Sequence, residues 1–173
     1  MPPKTTVVPV LDLPAPQVRV PRLAALDRLC ALLIAPPLVS SAFVVQAQAG
    51  TLDLVGAASC SFPTLPSQFQ TLWQGREFVE LHRLADQPGM RNHPLVDGTL
   101  DRWRSILLLP LPLGTGRSGF AGLASRQDRD PFTPLERKAL YHAAKVAAAS
   151  LKAEMALRQA GSGLLSALEG LRE

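Results

Sequence analysis

The most informative part of the sequence is residues 105–159, where two stretches with strand character precede a well-marked helix start. Thr133 is a suitable N-cap because its hydroxyl can accept a hydrogen bond from an unpaired amide of the first helical turn. Pro134 suits the first helical position, and Glu136 completes a capping box. Apolar residues then recur at helical spacing on one face: Leu140, Ala144, Ala147, Leu151 and Met155. The sequence therefore predicts a long amphipathic helix here.

The two stretches before this helix predict an antiparallel strand pair. Residues 106–109 are all apolar, so we expect the first strand to be covered on both faces. Residues 118–126 contain Gly119 and Gly122, and such small residues allow another backbone or a helix to approach closely. We expect this pair to be central in a sheet, with the long helix packed across it.

The chain divides into three parts by composition. Residues 1–20 contain five prolines and no helical period, which predicts an extended arm. Residues 21–160 are predicted to form the globular domain. Gly161 and Gly163 are expected to end the long helix, since glycine is typical of helix C-termini. Residues 161–173 would then be a short amphipathic tail.

The remaining predicted elements lie between the arm and the central strand pair. In chain order they are a helix over 22–34 ended by Pro36 and Pro37, an antiparallel pair over 41–48 and 51–58, a short helix over 67–74, a strand over 77–84, and a loop with one helical turn over 85–103. This order predicts an α+β fold.

Composition and charge exclude several classes of protein. The chain of 173 residues is long enough for one domain with a substantial core. No apolar run approaches the roughly 18 residues of a membrane span, and the N-terminus lacks the apolar core of a signal peptide. The net charge is +4, but the basic residues are scattered and many stand beside acidic ones. No run of basic residues is interleaved with aromatic residues. We expect a soluble cytoplasmic protein that binds neither membrane nor nucleic acid.

The order helix, strand pair, variable middle, strand pair and long helix resembles the GAF domain, a sensory module with a central antiparallel sheet. The resemblance covers most of the chain, and its most specific part is the C-terminal third. There an apolar strand ending in "PL" (residues 106–111) precedes a glycine turn, a small-residue strand and the helix start FTPLE (residues 132–136). The sequence HPLV (residues 93–96) before Arg102 is similar to one GAF subgroup.

The resemblance implies a central antiparallel sheet with the N- and C-terminal helices packed on one face and loops and short helices on the other. It also implies a sensory or regulatory role. The residue set of cyclic-nucleotide-binding GAF domains and the bilin motifs of phytochromes are not recognisable in this sequence, so the ligand and any cofactor stay unidentified.

The resemblance further implies that the segment before the central strands covers a ligand pocket. A pocket needs apolar walls and a few convergent polar groups, and this segment supplies both kinds. The residues predicted to bind a ligand are Trp73, His93, Asp97, Arg102, Trp103 and Ser105. The alternative is a collapsed loop with no ligand.

Other possible sites give weaker signals. Residues 114–119 match G-x-G-x-x-G, but a strand follows where a dinucleotide site needs a helix, so we predict a hairpin turn. Cys60 is the only plausible reactive thiol, and some GAF proteins are similar to free methionine sulfoxide reductases. Cys30 lies on the apolar face of a predicted helix, where it is poorly placed as a resolving cysteine. The histidines show no metal-ligand spacing. We therefore expect no catalytic residue, no metal and no enzyme activity.

Three functional hypotheses follow: a small-molecule sensor, a protein-interaction scaffold with a vestigial pocket, and, third, a sulfoxide reductase. Because no output domain is recognisable, a sensor would signal through dimerisation or a partner protein. The first and last helices carry small and apolar residues that could form a four-helix bundle in a homodimer. The proposed stripe contains Leu26, Leu29 and Leu33 of the first helix with Leu140, Ala144, Ala147 and Leu151 of the last, widened by Ala139, Ala143, Val146 and Ser150. Alternatively, the two helices use these residues within one protomer.

Overall fold

The computed structural model describes residues 22–34, 39–48, 50–62, 64–65, 69, 78–114, 117–129 and 131–171. The described helices and strands follow one another in this order: α1 (Ala24–Leu33), β1 (Ser41–Gln48), β2 (Thr51–Ala58), β3 (Thr64–Leu65), β4 (Val79–Leu81), a 3-10 turn (Leu84–Asp86), α2 (Pro94–Asp97), β5 (Ser105–Pro110), β6 (Ser118–Ser125) and α3 (Pro134–Gly170). The predicted arm, Pro36, Pro37 and the predicted helix over 67–74 lie outside the described residues, apart from the buried Phe69.

The strands form one antiparallel sheet in the order β3-β2-β1-β6-β5-β4. Strands β1 and β6 are its central pair, aligned so that Phe43 is opposite Gly122 and Val45 opposite Phe120. The hairpin β5–β6 is therefore inside the sheet, as the apolar stretch in the sequence predicts, and the α+β prediction is confirmed.

Successive residues of the central strands face two separate hydrophobic layers. Val44 of β1 and Leu107 of β5 belong to the layer that α1 and α3 cover. Phe43, Ile106 and Leu108 belong to the other layer, which the 3-10 turn, α2 and the segment before β5 cover. Alternation along a strand produces this division, and it confirms the predicted placement of helices on one face and irregular segments on the other.

The start of α3 forms as its sequence predicts. The Thr133 hydroxyl accepts from the Glu136 amide at 3.2 Å, and the Glu136 carboxylate accepts from the Thr133 amide at 2.7 Å. Burial alone would raise the pKa of Glu136, but hydrogen bonds from Arg129 and Thr133 outweigh it and hold that pKa below its usual value. Two Arg129 donors at 3.0 and 2.7 Å also fix the carboxylate in place.

The end of α3 differs from the prediction. Gly161 and Gly163 were expected to end the helix, but α3 continues to Gly170. An interior glycine costs about 1 kcal/mol relative to alanine without forcing a helix to stop. The residues that follow Gly163 include Leu, Ala and Glu, which are strong helix formers. Within the described residues, no helix combines the length and hydrophobicity that a bilayer span requires.

Smaller differences follow from backbone hydrogen bonds. Helix α1 begins at Ala24 rather than residue 22, because Leu23 is its N-cap and has an extended backbone (φ −102°, ψ 120°). The Leu23 amide donates to the Val55 carbonyl at 2.7 Å. Strand β4 is limited to Val79–Leu81, since Arg83 turns the chain with φ 48° and ψ 57°. The predicted helical turn between residues 85 and 103 is α2.

The packing of α1 onto β2 depends on Gly56. A Cβ at this position would lie 2.4 Å from Leu26 Cβ and 2.9 Å from the Leu26 carbonyl carbon. These distances are too short for non-bonded carbon atoms, and the second involves backbone, which cannot rotate away. The glycine therefore sets how closely the first helix approaches the sheet.

We expect Gly56→Ala to lower the free energy of unfolding by about 1–3 kcal/mol, the usual cost of overpacking a core. Chemical denaturation measures it. The matched control is Gly161→Ala, where nothing lies within 4 Å of an added Cβ and stability should stay equal or rise. Equal stability of Gly56→Ala and the wild type would contradict this account of the α1 contact.

Candidate functional site

An aromatic cluster fills the layer opposite the two long helices. Trp103 is fully buried and stacks on Phe43, with ring centroids 5.0 Å apart and planes 5° from parallel. Phe62 and Phe69 meet Trp103 with their ring centroids 5.9 and 6.1 Å away. Phe120 closes the cluster against Phe43 and Phe69. Because these residues come from β1, β6 and the covering segments, the cluster joins the sheet to its cover.

The sheet leaves space for this cluster at Gly122 of β6. A Cβ there would lie 2.4 Å from two atoms of the Phe43 ring. The small residues of β6, which the sequence singled out as a sign of close approach, thus accommodate a ring on this face. Trp103 itself is held by its amide, which donates to the Leu95 carbonyl of α2 at 2.8 Å.

His93 borders the same cluster at the N-terminus of α2. Its Nδ1 accepts from the Leu95 amide at 3.3 Å, and its ring centroid lies 6.2 Å from that of Phe69. Burial lowers the pKa of His93, with a smaller opposing effect from the charge of Asp97. The ring is therefore neutral at pH 7, and because Nδ1 accepts, the single hydrogen is on Nε2.

Two buried nitrogen atoms at this cluster have no hydrogen-bond partner. They are Trp103 Nε1 and His93 Nε2, both N–H donors, and neither finds an acceptor among the residues described here. Leaving a buried donor unpaired costs about 1–3 kcal/mol, so each such group requires a structural or functional explanation. Both rings lie beside Phe69, with ring centroids 6.2 Å (His93) and 6.1 Å (Trp103) from that of Phe69.

Asp97 and Arg102, also predicted to bind a ligand, are on the surface. The Asp97 carboxylate accepts from the Thr99 amide at 2.7 Å, and the Thr99 hydrogen bonds lower the pKa of Asp97. The Arg102 guanidinium lies against Gly98 at the end of α2. Trp73 lies outside the described residues. The structure therefore brings together His93 and Trp103, but not Asp97 or Arg102 with them.

Ser105 lies on the other side of the sheet from Trp103. It is fully buried, and its hydroxyl is 3.3 Å from His82 Nδ1. The Nε2 hydrogen of His82 is directed at Glu80, 2.8 Å away. The His82 ring also packs against Phe132, which belongs to the layer under α1 and α3.

Glu80 and His82 were not identified from the sequence. A signal was present, because residues two apart in a strand share a face, and both lie within the predicted strand over 77–84. Glu80 also accepts from the Phe132 amide at 2.9 Å and pairs with Arg137. Its contacts thus join β4 to the start of α3.

The two cysteines are poor nucleophiles in this fold. Burial raises the pKa of Cys60 to about 12, and the charge of Asp101 adds to the effect. Burial likewise raises the pKa of Cys30 to about 12. Both thiols are protonated at neutral pH, whereas thiol chemistry needs the thiolate. Among the described residues, no group of three or more His, Cys, Asp or Glu side chains could hold a metal ion.

The lowered pKa of His93 predicts a pH dependence of stability. The unfolded chain binds a proton near pH 6.5, while the folded chain resists protonation, so stability is full above this value and falls as pH falls through the lower folded pKa. We expect His93→Asn, which keeps an N-cap acceptor, to weaken the loss of stability between about pH 7 and pH 5. Urea denaturation at each pH measures it. The control is His142→Asn on the exposed side of α3, which should leave the slope unchanged; equal slopes for all three proteins would contradict the assignment.

Comparison with known proteins gives structural likenesses only. No family model matches the chain, and no curated protein sequence matches it. The GAF domain of Thermosynechococcus elongatus PixJ, in its blue-light-absorbing form, matches with a TM-score of 0.60 at 15% identity, covering 83% of this chain and 92% of that one. A GAF domain/HD domain protein from Geobacter sulfurreducens matches with a TM-score of 0.54 at 17% identity, covering 75% and 90%.

An enzyme has a comparable likeness. The type II free methionine-R-sulfoxide reductase from Thermoplasma acidophilum matches with a TM-score of 0.55 at 13% identity, covering 72% of this chain and 87% of that one. At sequence identities this low, the matches show that the proteins share a backbone fold, and they carry no information about shared chemistry. The strand order, with helices on one face of the sheet and irregular segments on the other, is consistent with these structural matches. The chain has a GAF-like fold.

Proposed function

We propose that this chain is a sensory or regulatory module that binds a small molecule between the sheet and the segments covering the aromatic cluster. The supporting observation is that the buried N–H donors of Trp103 and His93 have no partner within the described part of the chain. A ligand with hydrogen-bond acceptors would satisfy both donors and recover the free energy lost in burying them. The similarity of the fold to the blue-light-absorbing GAF domain of PixJ supports the regulatory part of this proposal.

The surroundings of the two donors favour a flat, largely apolar ligand. The walls are the rings of Phe43, Phe62 and Phe69, and an aromatic or conjugated ligand could stack among them. Neutral His93 offers a hydrogen without a charge, which suits a carbonyl oxygen or a ring nitrogen. The tight stack of Trp103 on Phe43 is the closed form, and ligand entry would separate the cluster from part of its cover.

Of the residues predicted from sequence, His93 and Trp103 are proposed to contact the ligand. Asp97 and Arg102 would act at the rim, and Trp73 belongs to the segment outside the described residues. Ser105 faces the opposite layer and would affect this site only through β5. The collapsed-loop alternative corresponds to the closed cluster without a ligand.

A non-enzymatic role is proposed because neither cysteine has the chemistry of a reductase. A thiol whose pKa is about 12 is almost wholly protonated at neutral pH, and Cys30 lies in the helix-side layer. The likeness to the Thermoplasma reductase then reflects shared backbone architecture.

The output is proposed to pass through α3. Phe120 of β6 belongs to the aromatic cluster, while its neighbour Ala121 belongs to the layer under α3. A change in packing around Phe120 would shift β6, and α3 packs directly on β6 and β5. The helix thus connects the ligand side of the sheet to whatever its distal half contacts.

The distal half of α3 is proposed to pair with a second copy of the chain. Every residue from 156 to 171 is exposed in the protomer. At 1.5 Å per residue this segment extends by about 24 Å, and an isolated helix of that length is marginally stable in water. Its apolar residues are mostly leucines: Leu157, Leu164, Leu165, Leu168 and Leu171 are 59–83% exposed. Pairing would cover this surface. Residues 161–170 of the predicted tail, which continue α3, would then form the end of the dimer contact.

An exposed seam at coiled-coil spacing sets the proposed register. Its members recur at alternating steps of four and three residues: Val146, Ser150, Ala153, Leu157, Ala160, Leu164, Ala167 and Leu171. Steps of four and three keep one face toward a partner helix, and alternating leucine with alanine allows close approach.

This seam keeps Val146 and Ser150 of the stripe inferred from sequence and replaces its other residues. Leu140, Ala144, Ala147 and Leu151 are buried within the protomer, as are Leu26 and Leu33 of α1, so they are unavailable to a partner. The alternative role, a scaffold that binds another protein, would use the same seam, and the oligomeric state distinguishes the two roles.

The ligand proposal is tested with a library of small metabolites, screened by thermal shift and followed by calorimetry. We expect a compound that stabilises the wild type and binds Trp103→Phe about tenfold more weakly, the usual effect of losing one hydrogen bond. Tyr141→Phe, at an exposed position on α3, is the control and should bind as the wild type does. A ligand bound equally by Trp103→Phe would contradict the role of the indole donor.

The dimer proposal is tested by analytical ultracentrifugation at micromolar concentration. We expect a dimer for the wild type and a monomer for Leu164→Glu, because the substitution places a charge in the seam. Leu165→Glu is the matched control: it is 64% exposed against 67% for Leu164, but lies about 100° around the helix. A monomeric wild type would favour the scaffold role, and equal effects of the two substitutions would rule out the register.

A further inference from the structure

A cleft opens at the β4–β5 side of the sheet, away from the aromatic cluster. It has two lobes of about 360 and 330 Å³ that share Arg83 and Asp128. Besides these two, the first lobe is lined by His82, Ser105 and Arg129, and the second by Ala85, Asp86 and Arg104. Three separate segments therefore meet at one place, and each contributes polar side chains.

Backbone hydrogen bonds hold these segments together. The Leu84 amide donates to the Arg104 carbonyl at 2.9 Å, and the Arg104 amide donates to the Ser125 carbonyl at 2.7 Å. The Ser125 hydroxyl then accepts from the Gln127 amide at 3.2 Å, in the turn that leads to Asp128. Arg83 has φ 48°, a region that residues other than glycine, asparagine and aspartate rarely adopt. Such backbone conformations are unfavourable and persist only where the surrounding structure holds them. They are enriched at binding sites.

Charges of both signs line this cleft without pairing with each other. Arg83, Arg104, Asp86 and Asp128 make no side-chain hydrogen bond or ion pair within the part of the chain that the structure describes. Arg129 differs, because it makes two hydrogen bonds to Glu136 and lies over the Phe132 ring. Two positive and two negative groups thus stay available to something outside the protein.

The floor of the cleft is polar and fixed. His82 has both ring nitrogens engaged, with Nε2 directed at Glu80 and Nδ1 at Ser105, so its ring cannot turn. The distance from Nε2 to the Glu80 carboxylate is 2.8 Å, and that from Nδ1 to the Ser105 hydroxyl is 3.3 Å. Neither group competes with the four unpaired charges above it.

We propose that this cleft binds a small zwitterion of the free amino acid class. A simple anion would be attracted by Arg83 and Arg104 but repelled by Asp86 and Asp128, and a simple cation would meet the opposite balance. A ligand that carries a carboxylate and an ammonium group can pair with both kinds of side chain at once. Arginine matches a carboxylate through two parallel N–H donors. The lobes are also in the size range of small-molecule sites.

The site is separate from the one proposed at the aromatic cluster. Ser105 lies in its floor and faces the helix side, whereas Trp103 packs on the opposite face of the sheet. Binding at the cleft therefore does not depend on whether the aromatic cluster takes a ligand.

The experiment titrates the wild type with the common L-amino acids by thermal shift and calorimetry, then with the N-acetyl and carboxamide derivatives of the best binder. We expect the parent amino acid to bind and each derivative, which lacks one of the two charges, to bind about tenfold more weakly or worse. Arg83→Asn keeps a residue that tolerates the left-handed backbone, and Asp128→Asn keeps the side-chain shape. Each should weaken binding by about tenfold or more while the ligand-free melting temperature stays close to that of the wild type.

The control is Arg117→Asn, an exposed arginine just before β6, at the opposite end of that strand from Asp128. It should bind as the wild type does. The proposal is overturned if no amino acid binds, if the derivatives bind as well as the parent, or if Arg83→Asn and Asp128→Asn both retain full affinity. Binding of inorganic phosphate that equals amino acid binding would instead identify a simple anion site. Amino acid binding lost only in Trp103→Phe would assign the ligand to the aromatic cluster.

Discussion

The two-sided burial of the central strands β1 and β6 is the constraint on which the rest of the structure depends. Phe43, Val44 and Val45 are consecutive and all fully buried, so both faces of the sheet must be covered. One face is covered by two helices, and Gly56 lets α1 approach close enough to do so. The other face has no long described helix above it, and aromatic rings fill the space. The different covers of the two faces give the sheet one rigid side and one side with irregular segments.

This difference explains where the unpaired polar groups occur. Regular helices pair their own backbone groups, so α1 and α3 can cover a face with leucine and alanine. The terminal backbone groups of a short helix such as α2 need side-chain partners, and His93 Nδ1 accepts a hydrogen bond from the Leu95 amide. Its remaining nitrogen and the Trp103 indole are then buried with no hydrogen-bond acceptor among the residues that the structure describes. The proposed ligand site is a consequence of covering a sheet with irregular segments.

Local sequence signals predicted the elements whose causes are local. The Thr133–Glu136 capping box fixed the start of α3 because its hydrogen bonds form within one turn. The apolar run in β5 and the small residues of β6 likewise predicted a central hairpin. The end of α3 was missed, since glycine at 161 and 163 is only a modest cost that neighbouring residues outweigh. Most residues of the predicted dimer stripe are buried within the protomer, because periodicity identifies an apolar face without identifying what covers it.

The sequence by itself determined the order of elements, the helix start and the placement of His93 and Trp103 in the covering segment. Only the tertiary structure decided that Ser105 turns away from Trp103 and that His82 lies between Ser105 and Glu80. It also decided that four charges from separate segments, with no ion pair among the described residues, line one cleft. The physical reason is distance along the chain. Residues 83, 104 and 128 are brought together by backbone hydrogen bonds and turns across the sheet, and no periodicity within any one segment encodes that meeting.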